Sequence, residues 1–207
     1  MDDLDPPPRP APAPSVDAPV DDEAVLVARA RRDRAAFGPL YARYADRVYR
    51  YCHRRLGTRE AAEDATSLVF AKALAGLAGF RGGSFPAWLF AIAHNVCLNA
   101  VRRRPDLPLA AAGDPPDPAS TGSPETLALA AEAERDLRAL LAALPPDQRR
   151  VLELRLAGLA GAEIAAAMGR SLASVKMLQV RALASLRAAH AESPTAAAIR
   201  GGPDARP

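Results

Sequence analysis

Residues 144–187 read LPPDQRRVLELRLAGLAGAEIAAAMGRSLASVKMLQVRALASLR, and this stretch decides the fold of the second half of the chain. The proline pair restarts the chain into a helix that ends near Gly158, because proline fits the first turn of a helix but not its interior. A short helix over 161–168, a glycine-containing turn at 169–171 and a longer basic helix over about 172–189 follow. This order is that of a helix-turn-helix, in which the second helix enters the major groove of DNA.

The last helix of this segment has two different faces when its residues are placed at 100° intervals. One face is apolar and predicts a contact with the core. The opposite face mixes cations with exposed apolar side chains, and base edges and thymine methyl groups accept both kinds of contact. The apolar face comprises Val175, Leu178, Ala182 and Leu186, and the outer face comprises Ser174, Lys176, Met177, Val180 and Arg181.

The first half of the chain also has helical periodicity, interrupted by capping residues. A helix over about 37–56 follows a possible Asp33 cap, and Thr58 can cap a second helix with an acidic first turn. After a glycine-containing break, Ser84 is a plausible cap of a third helix that ends before Pro105. No strand pattern or internal repeat interrupts this series, so the sequence predicts an all-α fold.

Prolines and glycines cluster where apolar periodicity is absent, and these stretches predict tails and a linker. We expect two small helical domains joined by a flexible linker. The divisions are a disordered acidic Pro-rich tail (1–23), a first domain (24–104), the linker (105–126), a second domain (127–190) and a disordered tail (191–207).

Charge alternates along the chain. Residues 1–23 carry one arginine and seven carboxylates, whereas residues 24–104 carry fifteen basic and five acidic side chains. The second domain is basic again after an acidic linker region. Basic faces bind nucleic-acid phosphates by counterion release, although charge alone equally fits a solvated helix surface. The alternation also predicts that acidic segments fold back onto the basic domains.

Several classes of function are disfavoured. Neither a signal peptide nor a membrane-spanning segment is predicted, and the two cysteines show no disulfide or zinc spacing, so we expect a cytoplasmic protein without metal or cofactor. His94 and Cys97, with the Cys52-His53 pair, are the weak zinc alternative. A P-loop is disfavoured because Gly82-Gly83-Ser84 lacks the Lys-Ser/Thr ending, and no set of nucleophile and base predicts an enzyme.

Three stretches carry a family resemblance. Residues 144–187 resemble region 4 of the extracytoplasmic-function (ECF) sigma factors of bacterial RNA polymerase, and FRGGSFPAWLFAIAHNVCLNAVRRR (80–104) resembles the end of their region 2. AEDATSLVFAKAL (62–74) is similar to the region 2 helix that docks on the polymerase clamp. The resemblance implies a non-enzymatic sigma factor that directs core RNA polymerase to promoter DNA and supports melting. It also allows an anti-sigma factor as a partner.

The resemblance assigns candidate residues to three surfaces. For the melted minus-10 strand they are Ser84, Asn95, Asn99, Arg102 and Arg103; for the minus-35 duplex, Arg170, Ser174, Lys176, Met177, Val180 and Arg181; and for core polymerase, Asp64, Ser67, Leu68, Phe70 and Lys72. Amides can bind the edge of an unstacked base while arginines hold phosphates. The plainer alternatives are that the two asparagines are exposed helix polars and that Arg170 only holds its turn.

The chain departs from the family pattern at two places. Ser67-Leu68 stands where a Gln-Glu pair is usual, and Ala160-Gly161 stands where a capping serine and an aromatic residue are common. A lost cap costs about 1 kcal/mol. Two other functions remain open at this point: a free-standing helix-turn-helix regulator, and an adaptor whose basic faces bind acidic proteins.

Overall fold

The structure is a computed structural model that describes residues 23–103 and 123–191. Within these ranges it contains helices and no strand, which confirms the all-α class. Helices α1 to α4 form the first module and α5 to α8 form the second. They are α1 (Glu23–Arg32), α2 (Gly38–Leu56), α3 (Arg59–Gly76), α4 (Phe85–Arg103), α5 (Pro124–Ala142), α6 (Pro146–Leu156), α7 (Gly161–Met168) and α8 (Leu172–Ala191). The predicted tails, except Glu23 and Ala191, and the linker through residue 122 lie outside the described residues.

Helix α1 was not predicted from the sequence, which placed Glu23 in the tail. Leu26, Val27 and Ala30 of this helix are buried, and Glu23 accepts a hydrogen bond from the Tyr44 hydroxyl of α2. The helix is short, and its three buried residues give a weak periodic signal between charged neighbours. It therefore forms as part of the first module, since helical structure this short depends on tertiary packing.

The predicted caps of the first module are confirmed. The Asp33 side chain accepts a hydrogen bond from the Ala35 N–H at 2.9 Å and caps a short 3₁₀ helix (Arg34–Phe37) before α2. Thr58 caps α3, and Ser84 accepts from the Ala87 N–H at 3.2 Å. Because these caps fix where each helix begins, α2, α3 and α4 pack around one core. Its fully buried members include Leu40, Tyr51, Leu89 and Phe90.

The second module begins with α5, three residues before the predicted start at Leu127. Ser123 caps the helix by accepting a hydrogen bond from the Thr126 N–H at 3.2 Å. Pro146 lies in the first turn of α6, as expected. The module core contains Leu141, Val151, Leu154, Ile164 and Val175, each no more than 1% exposed.

The two modules pack against each other, an arrangement that the sequence did not predict. α4 contacts α7, and α2 contacts α5 and α6. Polar contacts between the described residues cross this inter-module interface and join residues that are far apart in the chain. They include Arg47 Nε to Ala157 O (2.8 Å), Arg138 Nη1 to Gly57 O (2.8 Å), Ser84 Oγ to Glu163 Oε1 (3.1 Å), and the ion pair of Arg55 with Glu153.

Glu153 of α6 is the most completely buried charge of the inter-module interface, with a side chain 0% exposed. It accepts hydrogen bonds from Arg55 of α2 and from Arg149 of its own helix, the latter at 2.7 Å. Two guanidinium groups thus compensate one buried carboxylate. Removing either donor would leave a buried charge without its partner, which is the costly outcome for such networks.

None of the helices within 23–103 and 123–191 combines the length and the apolar character that a membrane-spanning helix needs.

Candidate nucleic-acid interface

The helix-turn-helix comprises α7, a tight turn and α8, as the sequence predicts. Gly169 has a left-handed φ of 63°, where a side chain would be strained, and its N–H bonds to Ala166 O at 3.2 Å. Ser171 then caps α8 by accepting from the Ser174 N–H at 3.2 Å. The missing serine cap of α7 is partly replaced, because the Glu163 carboxylate accepts the Ala160 N–H at 2.7 Å.

The two predicted faces of α8 are confirmed. Val175 and Ala182 are fully buried, and Leu178 and Leu186 pack against the core. On the outer face Met177 is 53% exposed and Val180 is 61% exposed. Lys176 and Arg181 are exposed beside them, while Ser174 is half-buried. Helix α8 therefore presents two cations and two apolar side chains, a composition that suits a DNA major groove.

Arg170 lies in the turn and forms an ion pair with Asp147 of α6. Both side chains remain partly exposed, at 44% and 49%. The contact ties the turn to α6, which agrees with the plainer alternative for this residue. Because the Arg170 side chain remains partly exposed, turn support and DNA contact are compatible.

Four of the five residues predicted to bind the minus-10 strand share one side of α4. Asn95, Asn99, Arg102 and Arg103 are all exposed, and their i, i+4, i+7 and i+8 spacing places them on one stripe. Ser84 is separate from them. It lies three turns earlier at the start of α4, half-buried, with its hydroxyl donated to Glu163 across the inter-module interface.

The stripe on α4 borders a groove between α3 and α4. This groove brings together Asp64, Leu68 and Lys72 of α3 with Asn99 and Arg103 of α4. Sequence reasoning assigned these two sets to different partners and did not predict that they adjoin. A partner that docks on α3 would therefore lie next to the side chains that are predicted to bind the strand.

The predicted polymerase contacts divide by exposure. Asp64, Ser67 and Lys72 are exposed, and Leu68 is 46% exposed on the same helix. Phe70 is only 5% exposed, because its ring packs against Tyr41 with centroids 4.6 Å apart and against Phe37. The side chain packs in the core that holds α3 in place, and a direct contact of Phe70 with core polymerase stays a prediction.

His94 and the cysteines occupy the interior next to the inter-module interface. Burial lowers the pKa of His94 to about 4, and the charges of Arg150 and Arg55 add to the shift. Cys52 and Cys97 are free, buried thiols with their sulfur atoms 3.6 Å apart. The hydrogen bond to Cys52 and burial raise the pKa of the Cys97 thiol, which disfavours a reactive thiolate.

Two family models match the chain. The family model Sigma-70 region 2 matches residues 40–105, and Sigma-70, region 4 matches residues 134–186. The ECF RNA polymerase sigma factor BldN of Streptomyces coelicolor is 37% identical over 166 residues, which cover 78% of this chain and 63% of BldN. The chain thus spans less than two thirds of that relative.

Two further comparisons cover more of the related protein. The ECF RNA polymerase sigma factor SigD of Mycobacterium tuberculosis is 32% identical over 180 residues, which cover 80% of this chain and 82% of SigD. A solved structure of CnrH in complex with the cytosolic domain of CnrY is similar with a TM-score of 0.63 and 25% identity. That match covers 82% of this chain and 97% of CnrH.

Proposed function

Because the chain belongs to the ECF sigma factors of the sigma-70 family, we propose that it directs core RNA polymerase to specific promoters and supports transcription initiation. The observation that carries this proposal is the presence of region 2 and region 4 in one chain, each with an exposed helix face suited to DNA. Sigma factors are non-enzymatic subunits, so catalysis stays with the polymerase. We place this action in the cytoplasm, where core polymerase and promoter DNA meet.

The second module is proposed to bind the minus-35 duplex through α8. Met177 and Val180 offer apolar contacts to thymine methyl groups, and Arg181 offers a planar fork that suits guanine. Lys176 is a compact charge on a flexible stem, which suits a phosphate. Specificity would then come mainly from Arg181 and the apolar pair, and general affinity from Lys176.

The first module is proposed to bind the minus-10 strand after melting. Asn95 and Asn99 would bind the edges of unstacked bases, while Arg102 and Arg103 hold the phosphates. Core polymerase would contact the adjacent α3 through Asp64, Ser67, Leu68 and Lys72. Since the groove between α3 and α4 joins the two sets, docking on polymerase would position the strand-binding stripe near the enzyme.

The proposed domain limits follow these roles. Region 2 is proposed to cover 24–104 and region 4 to cover 127–190; the neighbouring helices α1 and α5 begin at Glu23 and Pro124. An anti-sigma factor is a proposed further partner. Support comes from the similarity to CnrH, whose solved structure contains the cytosolic domain of CnrY.

The test is a reconstitution of the full-length chain with purified core polymerase. We expect co-elution with core and specific transcripts from a pool of promoter templates, detected by sequencing their 5′ ends. A free-standing regulator would bind DNA specifically without core and yield no such transcripts. An adaptor would fail to select promoters at all, even where it bound the polymerase.

The α8 assignment has its own test in the reconstituted enzyme. We expect Lys176→Ala to weaken all promoters alike and to lower the slope of log affinity against log salt by about one unit. We expect Arg181→Ala to cost about 1–3 kcal/mol and to relax preference at one base pair. The assignment fails if neither substitution changes upstream binding or promoter preference.

A further inference from the structure

Three arginines of α2 converge on a cleft at the inter-module interface. Arg47, Arg50 and Arg54 line one wall, at i, i+3 and i+7 on one side of the helix. The end of α6 lines the other wall through residues 156–158. We call this feature the arginine cleft. Because its walls belong to different modules, anything bound in it contacts both.

The guanidinium group of Arg54 is buried and has donors without a hydrogen-bond acceptor among the described residues. Its residue is 7% exposed, and neither Nε nor Nη2 has a hydrogen-bond partner among the described residues. Burial lowers the pKa of Arg54, yet a guanidinium remains charged under all ordinary conditions. A buried cation with free donors is costly unless an anion accepts them, so the arginine cleft is suited to an anionic ligand.

The other two arginines are arranged for the same chemistry. Arg47 donates to Ala157 O at 2.8 Å and lies over the Tyr44 ring at 5.2 Å, so its position is fixed. A Cβ at Gly158 would lie 3.2 Å from Arg47 Nη2, and the φ of 83° there also favours glycine. Arg50 pairs with Asp46, but both side chains are exposed, at 59% and 73%, and such pairs contribute little. Arg50 can therefore turn towards a ligand.

We propose that the arginine cleft is a carboxylate-binding site and that its occupant is the acidic N-terminal segment of the same chain, residues 1–22. This segment carries six aspartates and a single arginine. It joins α1 at Glu23, whose carboxylate accepts a hydrogen bond from the Tyr44 hydroxyl, one turn of α2 before Arg47. The point at which the segment is tethered is therefore close to the arginines, and the segment carries the complementary charge.

The last aspartates of the segment can reach the whole cleft. From Tyr44 to Arg54 is ten residues of helix, or about 15 Å. Asp17 lies six residues before Glu23, which allows a span of up to about 20 Å. Asp21 and Asp22 lie closer. Because the segment is tethered, its carboxylates act at an effective concentration of the order of millimolar, which favours them over dilute free anions.

Binding of this segment would stabilise the arrangement in which the two modules pack against each other, which we call closed. The minus-35 and minus-10 elements are about 25 base pairs apart, or about 85 Å of DNA. In the closed arrangement the start of α4 is hydrogen-bonded to α7 through Ser84 and Glu163, so the modules cannot occupy both elements at once. Only this consequence for promoter binding rests on the proposed function; the site itself is tested without polymerase or DNA.

The test measures the ratio of closed to open molecules in the full-length chain by single-molecule energy transfer. Cysteines replace one exposed alanine in each module, Ala78 and Ala184, and carry the dyes, since Cys52 and Cys97 are buried. Three aspartates are neutralised in the N-terminal segment, and a matched control neutralises three in the linker. The N-terminal variant combines Asp17→Asn, Asp21→Asn and Asp22→Asn; the control combines Asp106→Asn, Asp114→Asn and Asp117→Asn.

At low salt we expect the N-terminal variant to lower the closed-to-open ratio about tenfold, equivalent to about 1.4 kcal/mol. The linker control should change it less than about twofold, the range of an ordinary surface charge change. An unchanged ratio in the N-terminal variant overturns the proposal. Equal changes in both variants overturn it too, because they would reflect general charge attraction without a site.

A second set of variants tests whether the change in the closed-to-open ratio arises in the arginine cleft. Arg50→Gln, chosen because Arg50 is exposed and its loss should not unfold the module, is expected to lower the ratio similarly. In that background the N-terminal variant should add little, as for two groups in direct contact. Additive effects would contradict the assignment. Titration with inorganic phosphate tests whether a free anion binds in the arginine cleft in place of the N-terminal segment. If phosphate raises the closed-to-open ratio through Arg50 and the aspartate substitutions have no effect, the choice of occupant is overturned.

Discussion

Replacing Glu153 by glutamine tests whether a buried carboxylate holds the two modules together. The side chain is 0% exposed and accepts hydrogen bonds from Arg55 of the first module and Arg149 of the second. Glutamine keeps the shape but removes the charge and one acceptor. The single amide oxygen can accept from Arg149 or from Arg55 but not from both, so one arginine loses a hydrogen bond to a charged group, which contributes about 1.5–3 kcal/mol, and the other keeps only a neutral hydrogen bond.

The two losses act on different equilibria. If the amide oxygen stays with Arg55, loss of the Arg149 contact weakens the second module itself by about 1.5–3 kcal/mol, which chemical denaturation measures. If it stays with Arg149, loss of the Arg55 contact weakens closure by a similar amount, a ten- to hundredfold fall in the closed-to-open ratio at about 1.4 kcal/mol per decade. Hydrogen exchange of the amides in α4 and α7, which pack together at the inter-module interface, should rise accordingly.

The control removes a carboxylate from an exposed pair. Glu63→Gln breaks the ion pair with Arg59, in which the Arg59 side chain is 46% exposed and the Glu63 side chain 53% exposed. It should change the free energy of unfolding by less than about 0.5 kcal/mol. A cycle of Glu153→Gln with Arg55→Gln should give a coupling of about 1.5 kcal/mol or more. If closure in Glu153→Gln stays within twofold of the parent, as in the control, the reasoning that this ion network joins the modules is refuted.

Three other outcomes are expected. Asn95→Ala with Asn99→Ala should leave binding to core polymerase intact but impair promoter opening in permanganate footprinting; normal opening would remove these amides from the strand contact. Val175→Asp puts an unpaired charge at a 0% exposed site, so the second module should lose at least about 4 kcal/mol and lack cooperative melting by circular dichroism. For His94, the lowered pKa of about 4 means that the neutral form is favoured in the closed protein. Its contribution to stability is therefore full above about pH 6.5 and declines as the pH falls towards 4. His94→Gln should flatten that decline between pH 7 and 5 in thermal melts, and an unaltered pH profile would show that other groups cause it.

The helices and their faces were predictable because their signals are local. Thr58, Ser84 and Pro146 mark helix starts within a few residues of the chain, and the 3.6-residue period of α8 separates Val175 from Val180 without any other part of the protein. The order of the two modules was equally predictable, because long stretches of the sequence resemble region 2 and region 4. Helix α1 was not predicted from the local sequence, because its few buried residues gain stability only from the module on which they pack.

Only the tertiary structure decided which distant residues meet. Arg55 and Glu153 are 98 positions apart, and nothing in either neighbourhood indicates that the carboxylate is buried or that an arginine from the other module reaches it. The sequence around Phe70 likewise does not show that its ring packs against that of Tyr41 from another helix. Periodicity specifies a face of a helix, whereas the neighbour of that face depends on how the helices pack. The sequence by itself therefore determined two helical modules, one of them with a helix-turn-helix, and packing decided that they close on each other around one buried carboxylate.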